Sequence, residues 1–114
     1  MPRPPLLAAS LLLVSAGAFG ANADAVDAAE LALGKRLFTQ SAVPACALCH
    51  TLRDAGSEGA VGPVLDEIKP DADRVTKALR NGLGNMPAFK TLSEAEIKAL
   101  ARYVSTATGA AASN

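Results

Sequence analysis

The segment Cys46-Ala47-Leu48-Cys49-His50 holds both cysteines and the sole histidine of a 114-residue chain. No other feature constrains the fold as strongly. A domain this small buries too little apolar surface to rest on core packing alone and needs a staple: a disulfide, a metal or a large bound group. Large rings are scarce, with three Phe, one Tyr and no Trp. Phe19 lies in the N-terminal apolar run, which leaves Phe38, Phe89 and Tyr103 to build a core. A Cys46–Cys49 disulfide closes a very small loop and so stabilises far less than a long-range bridge. A thioredoxin-like redox pair belongs beside a strand of an α/β unit, and no strand pattern precedes Cys46. Structural zinc wants four ligands where this segment offers three.

The remaining reading uses every residue of the segment. CxxCH is the attachment signature of c-type haem: each thiol adds across one porphyrin vinyl group, and the adjacent His50 is held where its Nε2 can coordinate iron. Met86 is the candidate for the sixth position. Apart from Met1 it is the sole methionine, and its setting Gly84-Asn85-Met86-Pro87 is a turn-rich loop, an unusual place for a methionine that merely fills a core gap. An iron held by His50 and Met86 has no open position for a substrate, and a soft thioether raises its potential. Gly62-Pro63 offers a carbonyl for the His50 Nδ1–H, although an ordinary loop proline explains the dipeptide equally well. Asn85 is a candidate hydrogen-bond donor near the thioether.

The N-terminus reads as an export signal. Arg3 precedes an uncharged stretch that runs from Pro4 to Asp24 and ends in Ala21-Asn22-Ala23, an A-x-A site. Its apolar part is short of the ~20 residues a membrane span needs. Expected boundaries are a signal peptide over 1–23, cleaved after Ala23 or Ala25, a haem domain over 24–107 and a flexible tail over 108–114. Export implies a periplasmic protein with no membrane insertion after cleavage. The charges balance, 11 Lys and Arg against 11 Asp and Glu, and no basic run provides a footprint for nucleic acid.

Periodicity predicts an all-α chain with no strand pair. A capping box at Asp27 and Glu30 opens a first helix over 28–39, with Leu31, Gly34 and Phe38 on one side. Residues 54–70 hold three glycines and two prolines and read as an irregular loop with at most a short helical turn. Asp71 caps a second helix that ends at the glycine-rich Asn81–Asn85 segment. Ser93 and Glu96 form a capping box, Leu92 and Ile97 a staple, and Ile97, Leu100, Ala101 and Val104 an apolar face to about Thr106. Gly34 offers a notch into which Tyr103 packs beside Phe38.

CALCH, VGPVL, GNMPAF, the Gly34–Phe38 helix and the Tyr103 helix together resemble the class I c-type cytochromes, in the small monohaem soluble form of bacteria and algae. The resemblance covers about residues 28–106. It implies a cytochrome c fold, three or more helices around one covalent haem c, with Cys46 and Cys49 as attachment points, His50 and Met86 as axial ligands and Pro63 orienting His50. It implies an electron carrier rather than an enzyme, a monomer or weak complex, with a periplasmic dehydrogenase as donor and an oxidase or another cytochrome as acceptor. The segment from His50 to Asp71 is also similar to the cytochromes that accept electrons from periplasmic sulfite dehydrogenases. A haem enzyme or gas-binding protein is the alternative, and it requires a labile Met86. The lysines are interleaved with acids, so docking is expected through an apolar patch around Ala47, Leu48, Pro87 and Ala88 and not through a lysine ring.

Overall fold

The computed structural model describes residues 1–5, 10–13 and 18–113. Part of the expected signal lies outside them, as does Asn114; no helix among the described residues is long and apolar enough to cross a membrane. Helix α1 spans Ala18–Arg36 and is followed by a π-helical turn, Leu37–Ser41, closed by the Ala42 N–H on the Leu37 carbonyl at 3.0 Å. The expected start at Asp27 is therefore corrected: the Ala-rich stretch before it propagates helix upstream. Freed from capping, the Asp27 carboxylate lies 3.0 Å from Arg102 Nη1, and Glu30 lies 2.8 Å from the same atom. α1 runs unbroken past Ala23 and Ala25, so cleavage there would shorten the helix and leave these contacts intact.

The two other predicted caps are present. Asp71 accepts the Arg74 N–H at 2.8 Å and opens α3, Ala72–Asn81. Ser93 and Glu96 make both bonds of the capping box that opens α4, Glu94–Ala107. α2 is a single turn, Leu65–Ile68. The sequence reading missed one element: a two-stranded antiparallel ribbon, β1 (Thr51–Leu52) with β2 (Ser57–Glu58), Leu52 opposite Ser57. The all-α expectation is corrected to a predominantly helical chain carrying this ribbon. Two residues per strand are too few for the alternation that betrays a strand in a sequence.

The core gathers Leu37, Phe38, Leu52, Leu79, Ile97, Leu100 and Val104, each at most 4% exposed. α1 and α4 form the largest helix pair. Gly34 makes their crossing possible, because a Cβ there would stand 2.3 Å from the Ala99 carbonyl oxygen and 2.5 Å from Tyr103 Cβ. One turn on, Phe38 meets Tyr103 edge-on at 6.0 Å between centroids, a geometry that favours aromatic pairs. α3 packs on α4, where Arg80 pairs with Glu94. Where the sequence predicts a frayed tail, Thr108 Oγ1 donates to the Val104 carbonyl at 2.9 Å and Ala110 is 6% exposed.

Candidate haem-binding site

Cys46–Leu48 form one 3-10 turn. The N–H groups of Cys49 and His50 both reach the Cys46 carbonyl, at 3.1 and 3.0 Å, which sets the two thiols and the imidazole on one tight bend. The thiols are free and not bridged, so the disulfide reading has no support in the fold. Burial pushes the Cys46 thiol up to about 11, which keeps it as S–H near neutral pH.

The His50 ring is held from the segment that follows the ribbon. Nδ1 lies 2.8 Å from the Pro63 carbonyl oxygen. A carbonyl can only accept, so Nδ1 donates its proton there, and in the neutral ring this tautomer leaves the Nε2 lone pair for a metal. The Pro63 carbonyl thus lies where the orienting role requires it. Gly62 is pressed against the ring: a Cβ there would lie 2.5 Å from His50 Cε1 and 2.8 Å from Nδ1, while the Gly62 N–H donates to the Cys49 carbonyl at 2.7 Å. Gly59 approaches as closely, its Cβ position being 2.6 Å from the His50 nitrogen.

The ribbon holds the backbone of the same residue. Ser57, 8% exposed, donates its hydroxyl to the His50 carbonyl at 2.9 Å and accepts the Leu52 N–H at 3.0 Å. The turn of the ribbon is tied in turn to the helix crossing, where the Tyr103 hydroxyl donates to Asp54 Oδ2 at 2.6 Å and Lys35 stands 3.5 Å from the same oxygen. Burial, and secondarily this bond, raises the Tyr103 pKa well above its ordinary value. Sequence reasoning overlooked Ser57, Gly59 and Asp54. Glycines at 56, 59 and 62 read only as a loop, although their regular recurrence three residues after one another hints at close backbone approach.

Met86 reaches the site by a different device. Leu83 and Met86 exchange both backbone hydrogen bonds, at 3.0 and 2.9 Å, around Gly84-Asn85. Gly84, at φ 58°, adopts the left-handed conformation that such a two-residue loop demands. The Asn85 side chain makes no hydrogen bond to the thioether among the described residues, so that expectation is not met. Among the described residues no side-chain hydrogen bond holds Met86, which is placed by packing against the core and by the close approach of Gly82, whose Cβ position lies 2.8 Å from the Met86 carbonyl oxygen.

Cys46, Cys49, His50, Pro63 and Met86 all line one cavity of about 300 Å³, within the range of cofactor pockets, roughly 300–1,000 Å³. Its depth is apolar, with Phe38, Leu65, Val75, Leu79, Phe89 and Leu100 among the walls. Two thiols on one turn, an imidazole with its Nε2 lone pair available, a thioether and apolar walls are the donor set and lining that a covalently attached haem requires. The residues present fit the group. Among the described residues no set of three or more His, Cys, Asp or Glu side chains is placed to hold a bare metal ion, which leaves the zinc alternative without a ligand set.

Comparison with known proteins agrees. Residues 29–104 match the family model described as cytochrome C oxidase, cbb3-type, subunit III. Among solved structures the chain is similar to the c-type cytochrome SorU from Sinorhizobium meliloti, with 55% identity and a TM-score of 0.70 over 72% of this chain and 94% of that one. None of the curated proteins matches. A cysteine-pair turn, an oriented histidine and an apolar cavity thus coincide with a family match over the same residues, and the chain belongs to the c-type cytochromes, the family that carries covalently bound haem c.

Proposed function

We propose that this protein carries one haem c and works in the periplasm as a one-electron shuttle, reduced by a dehydrogenase and oxidised by an oxidase or a second cytochrome. The observation that carries the reading is the His50–Pro63 bond of 2.8 Å, made on the same cavity that Met86 lines: one residue offers an available Nε2 and the other a thioether. Bound there, the haem supplies a one-electron iron couple whose potential a thioether ligand raises. The chain's own residues do the rest. Cys46 and Cys49 anchor the group, Pro63 keeps the imidazole in one tautomer and orientation, and the apolar walls exclude water, which limits the rearrangement that accompanies a change of charge.

The partner meets an apolar rim. Val43, Leu48, Val61 and Leu83 are 82, 69, 75 and 67% exposed around the cavity segments, and the loops 42–52, 59–65 and 82–89 hold no Asp, Glu, Lys or Arg. Such a surface supports brief contact with weak salt dependence. The narrower reading of the donor, a sulfite dehydrogenase, draws support from the likeness to SorU. Export to the periplasm rests on the N-terminal pattern of Arg3, the apolar run and the A-x-A site.

The test is purification of the protein from its native periplasm. Expected are a mass larger than the polypeptide by one haem, a weak sulfur-ligation band at the red edge of the oxidised spectrum and rapid reduction by a co-purified or co-encoded dehydrogenase. A mass equal to the bare chain removes the proposal. Rapid carbon monoxide binding to the reduced protein, with no red-edge band, replaces it with a gas-binding or enzymatic role.

A further inference from the structure

The segment that carries the orienting carbonyl is tied to the segment that carries His50 by three hydrogen bonds. The Gly62 N–H donates to the Cys49 carbonyl at 2.7 Å, His50 Nδ1 donates to the Pro63 carbonyl at 2.8 Å, and the Arg53 N–H donates to Asp66 Oδ2 at 2.9 Å. The second and third join residues 13 apart in the chain, and the first has the same spacing, so residues 49–53 and 62–66 keep a single register. The first two bonds sit beside the imidazole, at the cavity. The third sits at the far end of both segments, and it alone uses a side chain of residues 62–66. Among the described residues no other hydrogen bond joins the two segments.

Asp66 fills a gap that the local chain leaves open. Arg53 opens the 3-10 turn Arg53–Ala55, and the residue in the capping position is Leu52, whose side chain has no oxygen to offer. The Arg53 N–H is thus an orphan of its own turn. Asp66 stands in the first turn of α2, and a carboxylate makes a charge-assisted bond to a backbone N–H. Leu65 beside it is 7% exposed and lines the cavity. Glu67, on its other side, makes no side-chain hydrogen bond or ion pair among the described residues.

We propose that Asp66 is a positioning residue for the iron ligand: by clasping the two segments at their far end, it keeps the Pro63 carbonyl on His50 Nδ1. The inference rests on the haem-carrier reading above and adds a residue outside the attachment motif, the axial ligands and the direct partners of the ring. A hydrogen bond from Nδ1–H makes an imidazole a stronger donor to a metal, and a stronger donor favours the oxidised iron. Without the clasp the Pro63 carbonyl can drift, the Nδ1–H bond weakens and the reduction potential rises. Loss of the carboxylate's charge raises the potential too, so separate variants must divide the two effects.

The experiment uses the haem-loaded protein with Asp66→Asn, Asp66→Ala and Glu67→Ala. Asparagine loses the charge and keeps an oxygen that can accept the Arg53 N–H; alanine loses both. Glu67→Ala removes a charge from the same turn and leaves the clasp untouched. Exchange of the His50 Nδ1–H, followed by proton NMR of the reduced protein, is expected to be as slow in Asp66→Asn and Glu67→Ala as in wild type. In Asp66→Ala it should be about tenfold faster, as the loss of one hydrogen bond to a charged group allows. The potential of Asp66→Ala should lie above that of Asp66→Asn, which shows only the shift due to charge. Equal exchange and equal potential in Asp66→Ala and Asp66→Asn would overturn the proposal, and so would faster exchange in Glu67→Ala. Should Asp66→Ala fail to mature, the Arg53 amide decides: protection from exchange in wild type and in Asp66→Asn supports the clasp, and free exchange in wild type overturns it. A protein without haem removes the carrier reading and this inference together, whereas the other adverse outcomes remove the inference and leave that reading standing.

Discussion

The two sides of the cavity are built on opposite principles. On the His50 side the chain closes on the candidate ligand twice: Ser57 grips its carbonyl, and Pro63 and Gly62 grip its ring. On the Met86 side a two-residue loop closed by backbone hydrogen bonds presents the candidate ligand, with no side-chain hydrogen bond to it among the described residues and only packing beside it. The first arrangement depends on contacts between residues 7 to 13 apart in the chain, and the second on a local turn. A braced ligand resists displacement, whereas a ligand on a short turn can yield without dismantling anything else. The difference predicts that damage to the His50 side will cost fold and haem together, and damage to the Met86 side will mainly cost ligation.

The sharpest way to break this comparison is Gly62→Ala. The added methyl would fall 2.5–3.0 Å from three atoms of the His50 ring, so the ring or the 59–63 segment must move. Overpacking of this kind costs about 1–3 kcal/mol. The expected result is a clear drop in thermal stability together with altered haem-methyl shifts in proton NMR of the loaded protein. An alanine that left both unchanged would show that the ring is not confined where the geometry places it.

Ser57→Ala comes next. It strips the partner from the buried Leu52 N–H and one donor from the His50 carbonyl. A buried group left unpaired costs about 1–3 kcal/mol, and equilibrium unfolding should report a loss in that range. On the other side Gly84→Ala meets no atom within 4 Å but keeps a φ of 58°. Its expected cost is the left-handed penalty alone, about 1–2 kcal/mol. Carbon monoxide binding to the reduced loaded protein sharpens the contrast: Gly84→Ala should bind faster than wild type, and Ser57→Ala should not at equal stability.

Much of this was legible in the sequence because it is local. CxxCH, the Met86 turn, the Asp71 and Ser93 caps and the Gly34 notch are each written within a few positions of one another. What was not legible is the bracing. Ser57 on His50, Gly62 on the ring and Asp54 on Tyr103 join segments whose approach is decided by how the ribbon folds back, and a ribbon of two-residue strands leaves no periodic trace. The start of α1 was misread for the converse reason: Asp27 and Glu30 have the chemistry of a capping box, but alanine-rich chain upstream favours helix, and both acids serve Arg102 instead.

The smallest expected effect tests the link between the braced side and the helix crossing. Tyr103 loses its proton less readily in the fold than in the unfolded chain, because burial and the Asp54 carboxylate both disfavour the phenolate. A group whose neutral form is favoured by folding contributes stability that is whole below its unfolded pKa, about 10 for tyrosine. That contribution declines as pH rises from there toward the higher folded value. Tyr103→Phe has no such proton and no bond to Asp54. Wild type should therefore exceed Tyr103→Phe in stability at neutral pH, and the gap should narrow steadily above about pH 10. The brace rests on Asp54 at the ribbon's turn, so at one neutral pH Tyr103→Phe should show faster amide exchange than wild type at Leu52 and Ser57 and the same exchange at Leu83 and Met86. Equal exchange on both sides would mean that the ribbon stands without its tie to α4, and that the His50 clamp is as local as the turn that carries Met86.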